Sequence, residues 1–308
     1  MAERVLITGA TGMVGRNLVA HPAAHGHEVL APPRAELDLT DAAAVADYVA
    51  WAAPTVVIHA AGKVGGIQAN MAAPVDFLDV NTMIGRNVLM AARAARVPRL
   101  VNLSSSCVYP ARGKNPLTED QIGTGALEPT NEGYALAKVF AMRLAAFISA
   151  EDPELSYKTL IPCNLFGPWD AFSPGRSHLL PAIIDKLHRA KIAGKPEADI
   201  WGDGTARREF MYVGDAAEGI WRAVDHFDTV PDVMNLGVGR DHSVNDYYAA
   251  VAGVLGWVGR FTHDLSKPVG MAQKLTDVSR QTAWGWAPAT PLSDAIARTY
   301  DFYREHHS

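Results

Sequence analysis

Tyr134 and Lys138 stand four residues apart in NEGYALAKVF, a spacing that puts both side chains on one face of a helix. A lysine charge beside a phenol draws its pKa down from about 10. Such a tyrosine can exchange a proton with a substrate oxygen while a nicotinamide exchanges hydride at the attached carbon. A second group of reactive atoms lies upstream in NLSSSCVYP. It holds the hydroxyls of Ser104, Ser105 and Ser106, the thiol of Cys107 and the phenol of Tyr109. One of the three serines can donate to the same oxygen. Cys107 reads either as a small buried hydrophobe or as an acid–base group. Tyr109 lacks a lysine partner and is expected to pack.

The chemistry needs a cofactor, and TGATGMVG at the N-terminus is built to hold one. Gly9, Gly12 and Gly15 fall between a short apolar strand and a helix. In that context glycines permit a tight turn and close approach of the backbone, and the helix N-terminus offers free N–H groups to a pyrophosphate. An acidic residue at the end of the second strand is the usual partner of an NAD ribose. Here VLAPPRAELDL places Arg34 first, with Glu36 slightly later. A guanidinium suits a 2′-phosphate, so the expected cofactor is NADP(H). Asp38 and Leu39 then border the adenine.

The elements that must position these residues alternate through the first half. Strands are expected at RVLIT, HEVLAP, TVVIHAAG, RLVNLSSS and SYKTLIPCN. Helices are expected at 13–24, 41–52, 75–96 and about 132–149. Continuous apolar strands between helices predict an α/β fold: a doubly wound, Rossmann-type parallel sheet covered on both faces. Beyond Leu165 the chain becomes rich in Gly, Pro and aromatics. Residues 1–165 are read as the cofactor domain, with later strands around 211–240 returning to it. Residues 166–308 are read largely as a smaller α/β substrate domain.

Composition narrows the class. The 308 residues are 48% hydrophobic with a net charge of −5, which suits a globular protein and disfavours a nucleic-acid partner. No uninterrupted apolar run reaches membrane-span length, and the N-terminus enters a strand directly, so no membrane partner is expected. Two distant cysteines form no disulfide framework, and a cytoplasmic location is expected. No metal site is expected.

Together these parts resemble the extended short-chain dehydrogenase/reductase family, which acts mainly on nucleotide sugars. AGKVGGIQAN, SSSCVYP, EPTNEGYALAK, IPCNLFGPWDAF, SHLLPAIIDKLH and WGDGTARREF, in that order, are similar to the successive signatures of its GDP-L-fucose synthase branch. The resemblance spans the chain. It implies NADPH-dependent 3,5-epimerisation and 4-reduction of a GDP-4-keto-6-deoxy sugar. It also implies roles: Ser105, Tyr134 and Lys138 at the ketone, with Cys107 as base and His178 as acid in the epimerisation. The implied cofactor contacts are Gly9, Thr11, Gly12, Met13, Val14, Gly15, Arg34, Asp38, Leu39, Ala60, Ala61, Gly62, Leu103, Tyr134, Lys138, Pro162, Asn164, Leu165 and His178. Substrate contacts are implied at Ser106, Asn164, Lys186, Trp201, Arg208, Lys274 and Asp277, and a nearby imidazolium is expected to favour the Cys107 thiolate.

Two departures from the branch pattern stand out. Thr11 occupies a glycine-loop position where some relatives carry a basic residue, and Cys163 stands where some carry threonine. The latter reads as a buried hydrophobe. An NAD-retaining 4-epimerase or 4,6-dehydratase needs no Cys/His pair and usually carries an acid after the second strand, so both features argue against it. A non-catalytic dinucleotide sensor has no use for Ser105, Tyr134 and Lys138 together. The residues named handle ketone and nucleotide, so a GDP-colitose or GDP-6-deoxy-heptose product stays open beside GDP-L-fucose. The resemblance further implies a homodimer built from the helices at about 76–97 and 132–149.

Overall fold

The computed structural model describes residues 2–173, 177–267 and 271–307. Its first half runs β1 (Arg4–Thr8), α1 (Met13–Ala20), β2 (Glu28–Leu30), α2 (Ala42–Ala52), β3 (Val56–His59), α3 (Ile67–Ala72), α4 (Pro74–Ala94), β4 (Arg99–Leu103), α5 (Glu132–Glu151) and β5 (Ser156–Pro162). The second half runs β6 (Asn164–Phe166), α6 (Leu179–Ile192), β7 (Glu197–Trp201), β8 (Arg207–Arg208), β9 (Phe210–Tyr212), α7 (Val213–Asp225), β10 (Val233–Leu236), β11 (His242–Ser243), α8 (Val244–Leu255), β12 (Arg260–Asp264), β13 (Gln273–Lys274), α9 (Ser279–Ala283) and α10 (Leu292–His307).

Six strands form one sheet in the order β10-β5-β4-β3-β1-β2, every pair parallel. The central strands are buried on both faces: Val5, Leu6, Ile7, Val56, Val57 and Ile58 have no exposed surface. That is why they read as unbroken apolar runs. One face carries α1 and α7, locked by the indole of Trp221 donating to the Leu18 carbonyl at 2.9 Å. The other carries α2, α4 and α5. Asp41 caps α2, accepting from the N–H groups of Ala43 and Ala44. The strand order reverses between β1 and β3, and in such sheets ligands bind outside the carboxyl ends of the strands at that point.

The second lobe packs α6, α8 and α10 around Phe166, Phe172, Ile184, Tyr247 and Tyr303. Of the region around 211–240, β10 returns to the main sheet beside β5, whereas β9 pairs with β6 in a separate two-stranded ladder. A small sheet, β11-β8-β13, sits at the junction.

The helical stretch 129–151 is long and apolar enough, on length and composition, to cross a bilayer. Its charges at Glu132, Lys138 and Arg143 broke the run in the sequence. In the structure its Ala135, Ala137, Lys138, Ala141, Met142, Ala145 and Ile148 are buried within the protein.

Candidate active site

The carboxyl ends of β1, β3 and β4 meet at the reversal point. Gly9 follows β1 with φ +74, and its carbonyl accepts from Gly12 N–H at 3.0 Å. A Cβ on Gly9 would lie 2.7 Å from the backbone of Ala61, and one on Gly15 would lie 2.2 Å from the Gly9 carbonyl oxygen. Both distances are impossible, so the loop can lie flat on the end of β3 only as glycine. Gly12 caps α1 without a side-chain acceptor, and the first turn carries no acid. The leading N–H groups, around Met13 and Val14, therefore point a partial positive charge at open space beside exposed Thr11. Ala60, Ala61 and Gly62 form the facing wall after β3. This cradle fits a dinucleotide pyrophosphate.

Arg34 lies past β2 with 79% of its side chain exposed, 3.3 Å from Asp38. The Asp38 carboxylate sits below its usual pKa, chiefly through the N–H and hydroxyl of Thr40, then through Arg34. Solvent and salt screen such an exposed pair, so a doubly charged 2′-phosphate competes easily for the guanidinium. Leu39 is anchored through its carbonyl by Asn87 of α4 at 2.9 Å. Arg16, which sequence reasoning passed over, donates to the Thr11 carbonyl at 3.0 Å and adds a second cation to the loop.

Beyond β4 the chain turns through a 3-10 segment, Ser106–Val108, capped by the Ser105 hydroxyl, which accepts from Cys107 N–H at 3.4 Å. Tyr134 packs against the buried cluster that holds Cys107. Lys138 donates to the Leu103 carbonyl at 2.9 Å, and its ammonium lies 5.8 Å from the centre of the Tyr134 ring. Ser105, Cys107, Tyr134 and Lys138 thus gather at the end of β4, with Cys107 and Lys138 buried and Ser105 and Tyr134 half-buried.

Its electrostatics differ from the sequence expectation. Burial, then the neighbouring Cys107, push the Tyr134 phenol well above its ordinary range, with Ser105 opposing. Burial brings Lys138 down to about 8. The lysine's charge is directed at a carbonyl rather than at the phenolic oxygen, so desolvation dominates. The Cys107 thiol is also raised by burial, with Lys274 as the strongest opposing charge. His178, at the N-cap of α6, is lowered by burial. Burial thus disfavours both charges of the expected imidazolium–thiolate pair. The Ser177 carbonyl, preceding His178, sits 3.5 Å from where a Cβ on Gly66 would project, so this segment packs on the loop that follows β3.

Asn164 and Leu165 begin β6 directly after Pro162 and Cys163, and the Asn164 amide donates to the Glu209 carbonyl at 2.8 Å. Cys163 is buried and its thiol is raised well above its usual value. Arg208 and Lys274 are register partners on β8 and β13. Side chains alternate across a strand. Their neighbours Arg207 and Gln273 both hold the buried carboxylate of Asp241, at 2.7–2.9 Å for Arg207 and 2.7 Å for Gln273. Arg208 and Lys274 consequently share the opposite face. Both are lowered by burial, which marks two desolvated cations side by side. Lys274 links this pair to Cys107.

Lys186 and Trp201 form a second group. The Lys186 ammonium bonds the carbonyl and carboxylate of Asp199 at 2.8 and 3.1 Å. Trp201, two residues on, is 47% exposed with Lys267 over its ring. Trp201 is not core, and it leaves a flat aromatic face open. Asp277 is engaged locally, accepting from Ser279 N–H at 2.9 Å. Ser106 is buried within the 3-10 segment.

Several site-shaping residues escaped sequence reasoning. Asn81 of α4 accepts from Lys63 N–H at 2.7 Å and donates back to the Lys63 carbonyl at 3.1 Å, fixing the loop around Gly62. Asn235 of β10 accepts from the Tyr109 hydroxyl at 2.5 Å. Glu209 is considered below. Their one signal is a polar residue inside an otherwise apolar run, as in DVMNLGV and REFMY.

The doubly wound sheet, the glycine cradle and the Ser/Tyr/Lys cluster define the class. The chain belongs to the NAD dependent epimerase/dehydratase family, whose pattern matches residues 5–237. More narrowly, it is 50% identical to the GDP-L-fucose synthase of Azorhizobium caulinodans over 98% of this chain and 96% of that protein. It is 45% identical to the GDP-L-colitose synthase of Yersinia pseudotuberculosis, covering 97% of each. Among solved structures it matches a GDP-D-glycero-L-gluco-heptose synthase from Campylobacter jejuni, in the presence of NADPH, with a TM-score of 0.90. Identity there is 27%, with 97% of this chain and 98% of that one covered.

Proposed function

We propose that this chain carries out NADPH-dependent 3,5-epimerisation and 4-reduction of a GDP-4-keto-6-deoxy-hexose, GDP-4-keto-6-deoxy-D-mannose going to GDP-L-fucose. The observation that carries the reading is the packing of Cys107 in one cluster with Tyr134, with the Ser105 hydroxyl on the Cys107 N–H. It sets a thiol beside the place where a ketone oxygen is held. Full-length likeness to a GDP-L-fucose synthase supports the choice of sugar.

The protons on C3 and C5 flank the C4 ketone, and removing either leaves an enolate whose charge rests on the C4 oxygen. The Ser105 and Tyr134 hydroxyls donate to that oxygen. In the reacting state Cys107 is the thiolate base and His178 the imidazolium acid. The thiolate takes the carbon-bound proton from one face, and the imidazolium returns one to the other. After inversion Tyr134 protonates the C4 oxygen, with Lys138 supporting the charge. NADPH held by the glycine cradle and Arg34 would supply hydride for C4. Arg208 and Lys274 hold the diphosphate, and Trp201 and Lys186 meet the guanosine end.

Exposed Arg34 supports NADP(H) over NAD, and carries that choice because Thr11 brings no basic group to the glycine loop. A cytoplasmic location accords with two buried free thiols. A homodimer is part of the proposal. Val75 and Leu78 of α4 and Leu136, Phe140 and Phe147 of α5 remain exposed on adjoining helices, an apolar face suited to a second copy. The test is NADPH oxidation with GDP-4-keto-6-deoxy-D-mannose, followed by NMR of the product. An L-fuco configuration supports the proposal, and a product with unchanged C3 and C5 overturns it.

A further inference from the structure

Glu209 is 1% exposed and lies directly between Arg208 and β9. Its carboxylate accepts four hydrogen bonds. One oxygen takes the N–H groups of Val238 and Gly239 at 2.7 and 2.8 Å. The other takes the N–H and hydroxyl of Thr276 at 2.8 and 2.6 Å. Its main-chain carbonyl accepts from Asn164. One residue thus ties together the strand carrying Arg208, the loop after β10, the segment two residues past Lys274, and the strand proposed to border the nicotinamide.

Burying a carboxylate is costly, and a well-packed apolar side chain fills such a place more stably. The strands it joins are weak on their own account. β8 and β13 are two residues long and pair at only two positions. On one side the Arg207–Asp241–Gln273 bonds brace them. Just past the ends of both strands the Glu209–Thr276 bonds add a second brace.

We propose that Glu209 is a positioning residue for the nucleotide diphosphate: its carboxylate fixes the segments bearing Arg208 and Lys274 so that both cations face the two phosphates at once. This rests on the reading that Arg208 and Lys274 hold the diphosphate. Glu209 touches neither substrate nor cofactor in this scheme.

The test is calorimetric titration of the full-length protein with GDP and separately with NADP, alongside steady-state kinetics. Glu209→Gln keeps the shape but turns one acceptor into a donor that faces N–H groups. We expect GDP affinity and KM for the GDP-sugar to worsen about tenfold or more, as for loss of hydrogen bonds to a charged group. NADP affinity stays within about twofold and kcat changes less than KM. Thr276→Val removes one bond and is expected to weaken GDP about threefold. Added to Glu209→Gln it costs little more, because both act through the same brace. If Glu209→Gln does not fold, Thr276→Val carries the test. Wild-type GDP affinity in whichever variant folds overturns the proposal. So does a parallel loss of GDP and NADP binding, the pattern of general weakening that Val251→Ala in the second-lobe core provides as a control. If Arg208→Ala leaves GDP affinity intact, the diphosphate reading itself fails. If Arg208→Ala weakens GDP and Glu209→Gln does not, only the positioning role fails.

Discussion

Cys107, Tyr134 and Lys138 share one desolvated pocket, so each protonation state depends on the others. Lys138 is held at about 8, below its ordinary 10.5, by burial. Its charged form is therefore present below that value and lost above it. If the ammonium supports the Tyr134 charge, kcat/KM for reduction should fall through an alkaline limb near pH 8 in the free enzyme. In Lys138→Arg the limb should move to higher pH, which a pH–rate profile measures. For Cys107→Ser in deuterated water, solvent deuterium should enter C3 and C5 at least about 10²-fold more slowly. Exchange at the wild-type rate, followed by mass spectrometry, would remove Cys107 from the mechanism. Tyr134 and Lys138 were legible in the sequence because helical spacing alone brings them together, and Ser105 and Cys107 because they follow a strand. Asn81, Glu209 and Asn235 were not. Their partners are 18 to 126 residues away and no local pattern reports them.

At the level of elements, the pocket depends on how closely α4 and α5 approach. A Cβ on Gly133, one residue before the proposed acid, would lie 2.7 Å from the Pro74 carbonyl at the start of α4. Backbone cannot yield cheaply there, so Gly133→Ala should destabilise by about 1–3 kcal/mol and lower the thermal midpoint by several degrees. Because α5 begins at this contact, the variant should also reduce turnover in the folded fraction, which calorimetry paired with an activity assay resolves. The outer face of the same two helices carries the proposed dimer surface. Phe140→Glu should shift sedimentation toward monomer while leaving the fold intact by circular dichroism; an unchanged dimer would place the interface elsewhere. The helices themselves were readable from apolar periodicity. Their partly exposed apolar faces were not distinguishable from core faces, since periodicity tells which face is apolar and not what covers it.

For the molecule as a whole, the sequence was most informative where burial is two-sided. β1, β3, β4 and β5 announced themselves as apolar runs, and so did β10. The β11-β8-β13 sheet was hidden, because strands two residues long leave no periodic trace. The return of β10 to the edge of the main sheet has a consequence for synthesis. As the chain leaves the ribosome, β5 is complete before its neighbour exists, and that neighbour follows only after β6 through α7 have been made. During that interval a hydrogen-bonding edge stands open to another strand. A fragment ending at residue 165 keeps that edge permanently bare. Expressed alone it should aggregate on size exclusion where the full chain elutes as a discrete species. The first half is thus not a portable module: the second half supplies the strand that closes its sheet.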